Sequence, residues 1–268
     1  MWKFYTIFIF LSVILSAHKV SGQTQNDHTL QAQKYMEQQD YKNAALEYEY
    51  LYYSAKDIKT QNLALLNKAQ AEKLNKQYSL SAQTLARIPS YSLTIEQKDS
   101  VYYQMLLCYY LYNDTTKSRE LLNNMDIVVK QNASKQLKIM EIISLNELYE
   151  YEQAEKIAQT FSDTLYNDLP KLKSEKTAHN LAFIPGLGHI YAGYTWEGIF
   201  AFLTNAGVLG FGVYQALNGD YITAYIGGAG ILSATYLGQQ RKAIQLTKKH
   251  NYKKTRSFNT KVKEALLK

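Results

Sequence analysis

The chain has 268 residues, of which 46% are apolar, 20% are charged and three are proline, a composition that excludes long disordered regions. Its formal net charge of +7 is not spread evenly, because residues 23–176 carry 18 basic and 20 acidic side chains whereas residues 241–268 carry ten basic and one acidic. The basic tail has few interleaved aromatic residues, so we expect no nucleic-acid partner.

Residues 1–22 are typical of a secretory signal peptide. Lys3 precedes an apolar run over residues 4–17, and small or compact residues follow as far as Gly22. We therefore expect cleavage after Gly22 and export into the cell envelope. The alternative is an uncleaved anchor, although about 14 apolar residues are short for a membrane span.

Residues 23–164 show a helical pattern that recurs four times, at steps of 37, 37 and 36 residues. In each copy a small side chain follows the anchor residue by three positions. A small residue at this point lets two antiparallel helices approach closely. The anchors and their small partners are Tyr41 with Ala44, Tyr78 with Ser81, Thr115 with Ser118, and Tyr151 with Ala154.

This pattern resembles the tetratricopeptide repeat family, whose unit is a helix pair of about 34 residues with a similar Asp-Tyr-x-x-Ala turn. The match is best at residues 40–44. The resemblance implies a TPR-like helical solenoid over residues 23–164, with a concave surface that binds peptides or other proteins. Residues 165–180 are polar and contain Pro170, which predicts a linker after the solenoid.

Residues 181–240 contain only two formally charged side chains and predict a membrane domain. Residues 198–217 would span roughly 30 Å as a helix, enough for the hydrocarbon core, and residues 221–237 form a shorter second candidate. The polar residues 218–220 between them predict the tip of a transmembrane helical hairpin. The alternative is a pair of helices buried in the core of a water-soluble protein.

A motif rich in glycine and aromatic residues lies at the start of this domain. It consists of Pro185, Gly186, Gly188, Tyr191, Gly193, Trp196 and Gly198. It is similar to the opening of small bacterial two-span membrane domains that begin Pro-Gly-x-Gly-x-x-Tyr-x-Gly. That resemblance extends to about Lys268 and implies no defined activity. A dinucleotide-binding loop does not fit, because Gly193 follows Gly188 by five residues rather than three and no strand precedes the motif.

Small residues form stripes at four-residue spacing in both predicted spans. Ala206 and Gly210 lie in the first, and Gly230, Ala234 and Gly238 lie in the second. Such stripes permit close helix contact in lipid, so we expect them to face each other within the hairpin or across a homodimer. Replacing Gly230 with leucine is then expected to destabilise the contact.

Two polar residues of the membrane domain invite functional hypotheses. Asn205 lies within the first span, where a hydrogen bond to Thr223, Ser233 or Thr235 is favoured over a role in transport. His189 lies within the glycine motif, where a hydrogen-bonding role is favoured over that of a proton carrier.

Residues 241–268 predict a basic, partly helical tail. If the chain is exported and crosses the membrane twice, this tail lies outside, against the tendency of basic residues to stay in the cytoplasm. Either residues 181–194 cross as a short third span, or the tail rests on anionic headgroups of the outer-facing leaflet. We favour the arrangement with two spans.

The sequence predicts an all-α protein without a catalytic motif, and Cys108 is its single cysteine. We expect no enzymatic activity, no cofactor and no metal ion. The favoured function is a membrane-anchored scaffold or adaptor of the bacterial cell envelope, whose periplasmic repeats bind partner proteins while the hairpin and tail bind lipid. In the alternative, the hairpin is the active unit in small transport, lipid handling or enzyme assistance, and the repeats regulate it.

Overall fold

The computed structural model describes residues 27–267, so the predicted signal peptide at residues 1–22 lies outside the described residues. Within residues 27–267 all regular secondary structure is helical and no strand occurs. The prediction of an all-α protein is therefore confirmed. The chain forms two compact units, and the boundary falls between Ser162 and Asp163.

The first unit consists of helices joined by short turns. They are α1 (residues 27–37), α2 (Tyr41–Ser54), α3 (Ile58–Leu74), α4 (Tyr78–Ala86), a 3-10 turn (Ser90–Ser92), α5 (Ile95–Tyr112), α6 (Thr115–Asn124), α7 (Ile127–Gln131), α8 (Lys135–Glu147) and α9 (Tyr151–Ala158). Helices α2 to α5 each pack against the next in the chain, and α8 contacts α5, α6 and α9.

Four turns of this unit share one backbone geometry. Gln39, Lys76, Asn113 and Tyr149 have φ angles of 60°, 59°, 61° and 61°, in the left-handed region. In each turn the next residue donates its N–H to the carbonyl five residues earlier, over 2.8 to 2.9 Å, as in a Schellman motif. Because these turns recur at steps of 37, 37 and 36 residues, the sequence period is also a period of backbone geometry.

The small partner residues of the four repeats are buried. Ala44 and Ala154 are 0% exposed, Ser81 is 1% exposed and Ser118 is 5% exposed. The Ser81 hydroxyl donates a hydrogen bond to the carbonyl of Ala69 over 2.7 Å, so its polar group is satisfied inside the α3–α4 contact. A larger side chain at these positions would hold the paired helices apart.

The second unit contains two short helices followed by two long ones. Its elements are α10 (Glu175–Leu181), α11 (Leu187–Ala192), α12 (Thr195–Leu217), α13 (Tyr221–Thr223), a π-helical segment (Ala224–Gly230) and α14 (Ile231–Leu266). The last three follow one another without a break over residues 221–266, roughly 69 Å at the rise of an α-helix. The second predicted span and the basic tail therefore belong to one continuous helix.

Helix α12 packs against the helix that follows it through a tight turn. Gly219 has a φ of 83°, and the N–H of Asp220 donates to the carbonyl of Gln215 over 2.9 Å, as in the turns of the first unit. The two backbones come closest at Gly212 and Gly228, since a Cβ atom on Gly212 would lie 2.8 Å from the Gly228 Cα. Gly212 lies in α12 and Gly228 in the π-helical segment, each about two helical turns from Gly219.

The expectation that the stripes of small residues face each other within the hairpin is wrong for the three glycines in those stripes. Nothing lies within 4 Å of a Cβ atom built on Gly210 or Gly238, and a Cβ on Gly230 would be 3.6 Å from the carbonyl of Tyr225 in its own helix. Small residues are needed only where backbones touch, and a π-helical turn rotates the residues beyond it to another face. Contact of the stripes across a homodimer stays a prediction.

Among residues 27–267, α12 is the one helix that is long and apolar enough to cross a membrane. Only 11% of its most apolar stretch is buried. The alternative of a helix buried in a soluble core would require most of this surface to be covered. Asn205 accepts a hydrogen bond from the Thr235 hydroxyl over 3.2 Å, so the predicted bond between the two helices is confirmed.

Residues 165–180, predicted as a linker, contain most of α10 and contact α14. The Lys173 N–H donates to Asn251 Oδ1 over 2.9 Å, and Asn251 Nδ2 donates back to the Lys173 carbonyl over 2.8 Å. Helices α10 and α11 have seven and six residues, so each is only about 10 Å long against roughly 30 Å of hydrocarbon. A third span over residues 181–194 therefore lacks a helix of sufficient length.

Candidate functional site at the glycine motif

The first two residues of the motif turn the chain from α10 into α11. Pro185 ends the preceding turn, and Gly186 has a φ of +88°, which favours glycine. The Gly186 carbonyl accepts the N–H groups of His189 and Ile190 over 3.1 Å and so begins α11. A Cβ atom on Gly186 would overlap the Gly198 carbonyl oxygen, so this turn touches the start of α12.

Gly188 lies where α10, α11 and α14 meet. A Cβ atom there would lie 2.6 Å from the carbonyl oxygen of Ala178 and 2.8 Å from the Cβ atoms of both Ala182 and Ala243. All three alanines are buried. The motif therefore joins the short helices to the base of the hairpin.

Tyr191 ties α11 to the segment before α10. Its hydroxyl accepts the N–H of Ser174 over 3.0 Å, and its carbonyl accepts a hydrogen bond from Lys173 Nζ over 2.6 Å. The same Nζ lies 5.6 Å from the centroid of the tyrosine ring. Trp196, by contrast, is 73% exposed at the start of α12, where an interfacial aromatic residue would lie.

Gly193 forms the turn between α11 and α12. Its φ is +92°, and the Tyr194 N–H donates to the His189 carbonyl over 3.0 Å, so the turn repeats the geometry of the first unit. A Cβ atom on Gly193 would lie 3.2 Å from His250 Nδ1 and 3.4 Å from Lys173 Nζ. The motif residues are thus brought together at one end of the hairpin.

His189 is 4% exposed, and its Nδ1 atom has no hydrogen-bond partner among the described residues. Burial lowers the pKa of its imidazole; the Glu197 carboxylate opposes this effect and Lys242 adds to it. The ring is therefore neutral at pH 7. No hydrogen bond is formed at Nδ1 in this structure, and the hydrogen-bonding role expected of His189 stays a prediction.

A cleft of about 530 Å³ opens between α12 and α14 beside the motif. Pro185 lines it together with apolar side chains that include Phe202, Leu209 and Leu232, and Asn205 contributes a polar group. Its lining contains no charged residue. The volume lies within the range of roughly 300–1,000 Å³ that small-molecule sites occupy.

The repeat anchors have a structural role in the first unit. Tyr41, Tyr78 and Tyr151 are half-buried at the start of α2, α4 and α9. Tyr41 packs against a buried cluster that includes Ala44 and Tyr48. These residues build the turns, so a surface that binds a partner would be formed by other side chains.

Two buried carboxyl groups were not predicted from the sequence. Glu72 is 1% exposed, lies 3.5 Å from Lys68 Nζ, and has its pKa raised by burial. Glu141 is 5% exposed, and burial raises its pKa to about 7. The position of Glu141 inside an otherwise apolar run, residues 139–143, could have identified it.

The described part of the chain holds no group of three or more His, Cys, Asp or Glu side chains placed to bind a metal ion. Comparisons with family models, with curated proteins and with solved structures found no match. The features that bear on function are the repeated turns, the exposed apolar helix α12 and the motif at the base of the hairpin.

Proposed function

We propose that this protein is a membrane-anchored scaffold or adaptor of the bacterial cell envelope, in which TPR-like helical repeats bind partner proteins. The observation that carries this proposal is α12, an apolar helix of 23 residues whose most apolar stretch is only 11% buried. The same chain holds four turns of equivalent geometry between paired helices. An exposed apolar helix of this length can span the hydrocarbon core of a membrane. Stacked helix pairs present an extended surface for binding.

One face of α2 supports the binding of a protein partner. Leu46, Tyr50 and Tyr53 follow one another at helical spacing and are 50%, 50% and 73% exposed. Tyrosine supplies large contact area and a polar hydroxyl, which is why it is frequent at the centre of protein interfaces. We take this α2 face as the first candidate for the partner surface.

The proposed anchor is a two-span hairpin made of α12 and residues 221–237. Since α10 and α11 are too short to cross, the chain before α12 and the tail after residue 237 lie on the same side. Export through the predicted signal peptide places that side in the periplasm. The basic tail then meets anionic headgroups rather than the cytoplasm.

Crosslinking in native membranes tests the adaptor function. A photo-reactive amino acid at Tyr50 is expected to capture one or a few envelope proteins reproducibly. The same amino acid at Tyr91, which is 87% exposed on the 3-10 turn, is the matched control. Identical products at both positions, or none at Tyr50, would contradict the proposal.

The cleft beside the motif favours the second candidate, in which the hairpin is the active unit in small transport, lipid handling or enzyme assistance. Replacing Ala206, which lines the cleft, with leucine would fill part of its volume. Under this alternative Ala206→Leu abolishes the cellular function while crosslinking from Tyr50 is unchanged. Under the adaptor function, substitutions on the α2 face abolish the cellular function, and Ala206→Leu does not.

A further inference from the structure

The first unit contains a small cleft where α6 and α9 both pack on α8. Its volume is about 120 Å³, enough for roughly four water molecules. Much of its wall is apolar, and Glu141 of α8 adds a buried carboxyl group to the lining. The apolar side chains of the wall are Leu122, Leu145, Leu148 and Ile157.

The carboxyl group of Glu141 has no partner in this cleft. The residue is 5% exposed, and among residues 27–267 no hydrogen bond or ion pair to its carboxyl is formed. Lys130, Lys138 and Asp99 act on it only through longer-range electrostatics. A buried carboxylate without a counter-charge is unfavourable, so a cation that entered the cleft would be stabilised there.

The other repeats hold different side chains at the position of Glu141. Ten residues before the anchor, the second repeat has Lys68 and the third has the apolar Met105. Lys68 Nζ forms an ion pair with Glu49 of the preceding repeat over 2.6 Å. In the fourth repeat the uncharged Asn123, which lines the cleft, takes the place of Glu49. The ion pair of the second repeat therefore has no counterpart at Glu141.

The two cationic side chains that line the cleft are bound to other groups. Lys130 Nζ donates a hydrogen bond to the Leu122 carbonyl over 2.5 Å, and Arg119 Nε donates to Glu150 Oε1 over 3.0 Å. Neither forms an ion pair with Glu141 within residues 27–267. A counter-charge for Glu141 would therefore come from another molecule.

We infer that the cleft between α6 and α9 receives a lysine side chain of the partner protein, whose ammonium group pairs with the Glu141 carboxylate. The apolar wall suits the four-carbon stem of lysine, and Glu141 suits its charged end. The five non-hydrogen atoms of that side chain match the volume of the cleft more closely than the seven of arginine do. The inference rests on the proposed function, since it requires the repeats to bind a protein.

The test uses the full chain in detergent and n-butylammonium, which reproduces the stem and ammonium group of lysine. Binding is followed by NMR of the methyl groups of Leu145 and Ile157, which line the cleft. At pH 8 we expect saturable shifts of these signals. The uncharged analogue n-butanol is expected to bind at least tenfold more weakly, because a hydrogen bond to a charged group is stronger than a neutral one.

Glu141→Gln is expected to weaken the binding of n-butylammonium at least tenfold. The control Glu152→Gln removes the same charge from the exposed surface of α9 and is expected to bind as wild type does. A smaller loss in Glu141→Gln, or an equal loss in Glu152→Gln, overturns the inference.

The pH dependence of binding supplies a second readout. Burial raises the pKa of Glu141 to about 7, so its ionised fraction rises about tenfold between pH 6 and pH 8. We expect the affinity for n-butylammonium to rise by about the same factor in wild type and to stay constant in Glu141→Gln. None of the other charged side chains near Glu141 is a histidine; they are Lys138 on α8, Asp99 on α5, Lys130 on α7, and the pair of Arg119 and Glu150.

A lysine with both backbone ends blocked separates a protein side chain from a free amine. N-acetyl-lysine-N-methylamide is expected to bind within threefold of n-butylammonium. Weaker binding than that would mean that the cleft is closed to a protein backbone, and tighter binding of n-propylguanidinium would assign the cleft to arginine. Either result overturns the inference.

Crosslinking from Tyr50 in native membranes separates this inference from the proposed function. Glu141→Gln is expected to lower the yield of the captured partner, and Glu152→Gln is not. If Tyr50 captures its partner equally well in wild type and in Glu141→Gln, the adaptor function stands and only the assignment of the cleft fails.

Discussion

Glu141 places an ionisable group inside the apolar helix α8. Its side chain is 5% exposed and lines a small cleft of about 120 Å³ together with Lys130. Burial raises its pKa to about 7, Lys130 and Lys138 oppose the rise, and Asp99 adds to it. In the unfolded chain the carboxyl has its ordinary pKa of about 4.5. The folded chain therefore holds a proton that the unfolded chain releases between pH 4.5 and 7.

This difference makes the first unit less stable as the pH rises through that window. Below about pH 4.5 the contribution is fully present, and above pH 7 it is lost, at a cost on the order of 3 kcal/mol. Glu141→Gln removes the ionisation, so we expect a higher free energy of unfolding than wild type at pH 8 and little difference at pH 5. Urea unfolding followed by circular dichroism measures both.

The exposed Glu152 provides the control for this prediction, because Glu152→Gln removes an equal charge from the surface of α9. It is expected to leave the pH dependence unchanged. If Glu141→Gln and wild type lose stability in parallel between pH 5 and 8, then Glu141 is hydrated in the folded chain and the assigned pKa is wrong.

The sequence predicted the burial and contacts of some residues but not of others. The burial of Ala44 and Ser81 was predictable, because a small side chain that recurs at the same position of each repeat usually marks a close contact between helices. The burial of Glu141 had only a weak signal, the apolar run at residues 139–143, because it also depends on which face of α8 meets α5 and α6. The convergence of Lys173 and His250 joins residues far apart in the chain, and no local pattern reports such a contact.

The free-energy cost of the left-handed conformation in the repeated turn can be measured at Lys76. This exposed residue has a φ of 59°, and a non-glycine residue in that region costs roughly 1–2 kcal/mol. Lys76→Gly is expected to raise the free energy of unfolding by about 1 kcal/mol, despite the greater chain entropy of glycine. Gln83→Gly, within α4, is expected to lower it by about the same amount. Equal losses in both variants would show that the left-handed turn is absent.

Packing at the junction of α10, α11 and α14 predicts that two glycines differ in their tolerance of an alanine substitution. Gly188→Ala would bring a Cβ atom within 2.8 Å of Ala182 and Ala243, so we expect the melting temperature of the full chain in detergent to fall by several degrees. Gly207 lies in α12 with nothing within 4 Å of such an atom. Gly207→Ala is expected to leave the melting temperature unchanged or to raise it, because alanine favours helices. Similar losses in both would remove the packing role of Gly188.

At the level of elements, the helical period and the long apolar helix α12 could be predicted because both depend on local spacing and hydropathy. The unbroken helix over residues 221–266 could not, because polarity changes near Gln239 while nothing there breaks a helix. Residues 220–224 repeat the Asp-Tyr-x-x-Ala pattern of residues 40–44, and both segments follow a left-handed residue. The same sequence pattern therefore marks the turn of the hairpin and the turns of the repeats.

For the whole molecule, the short length of α10 and α11 favours two spans over a third span at residues 181–194, and the topology itself stays a prediction. With a two-span hairpin, the first unit and the basic tail lie on one side of the membrane, and the turn at Asn218 lies on the other. A third span would instead place the tail with Asn218. The unbroken helix does not distinguish these cases, since it continues beyond the second candidate span in both.

Single cysteines at three positions, in a chain whose buried Cys108 is replaced by alanine, measure this topology. Ser90 and Ser257 are exposed in the first unit and in the tail, and Asn218 is exposed at the hairpin turn. With a membrane-impermeant thiol reagent added to intact spheroplasts, Ser90→Cys and Ser257→Cys are expected to react while Asn218→Cys reacts only after lysis.

Each other pattern has a defined meaning. If Ser257→Cys is protected together with Asn218→Cys, residues 181–194 cross the membrane and the tail is cytoplasmic. If Ser90→Cys and Ser257→Cys are protected while Asn218→Cys reacts, the hairpin is inverted, residues 1–22 do not export the chain, and the basic tail obeys the positive-inside rule. Reaction at all three positions before lysis would mean that α12 does not cross, because a helix embedded across the bilayer shields one end from the reagent.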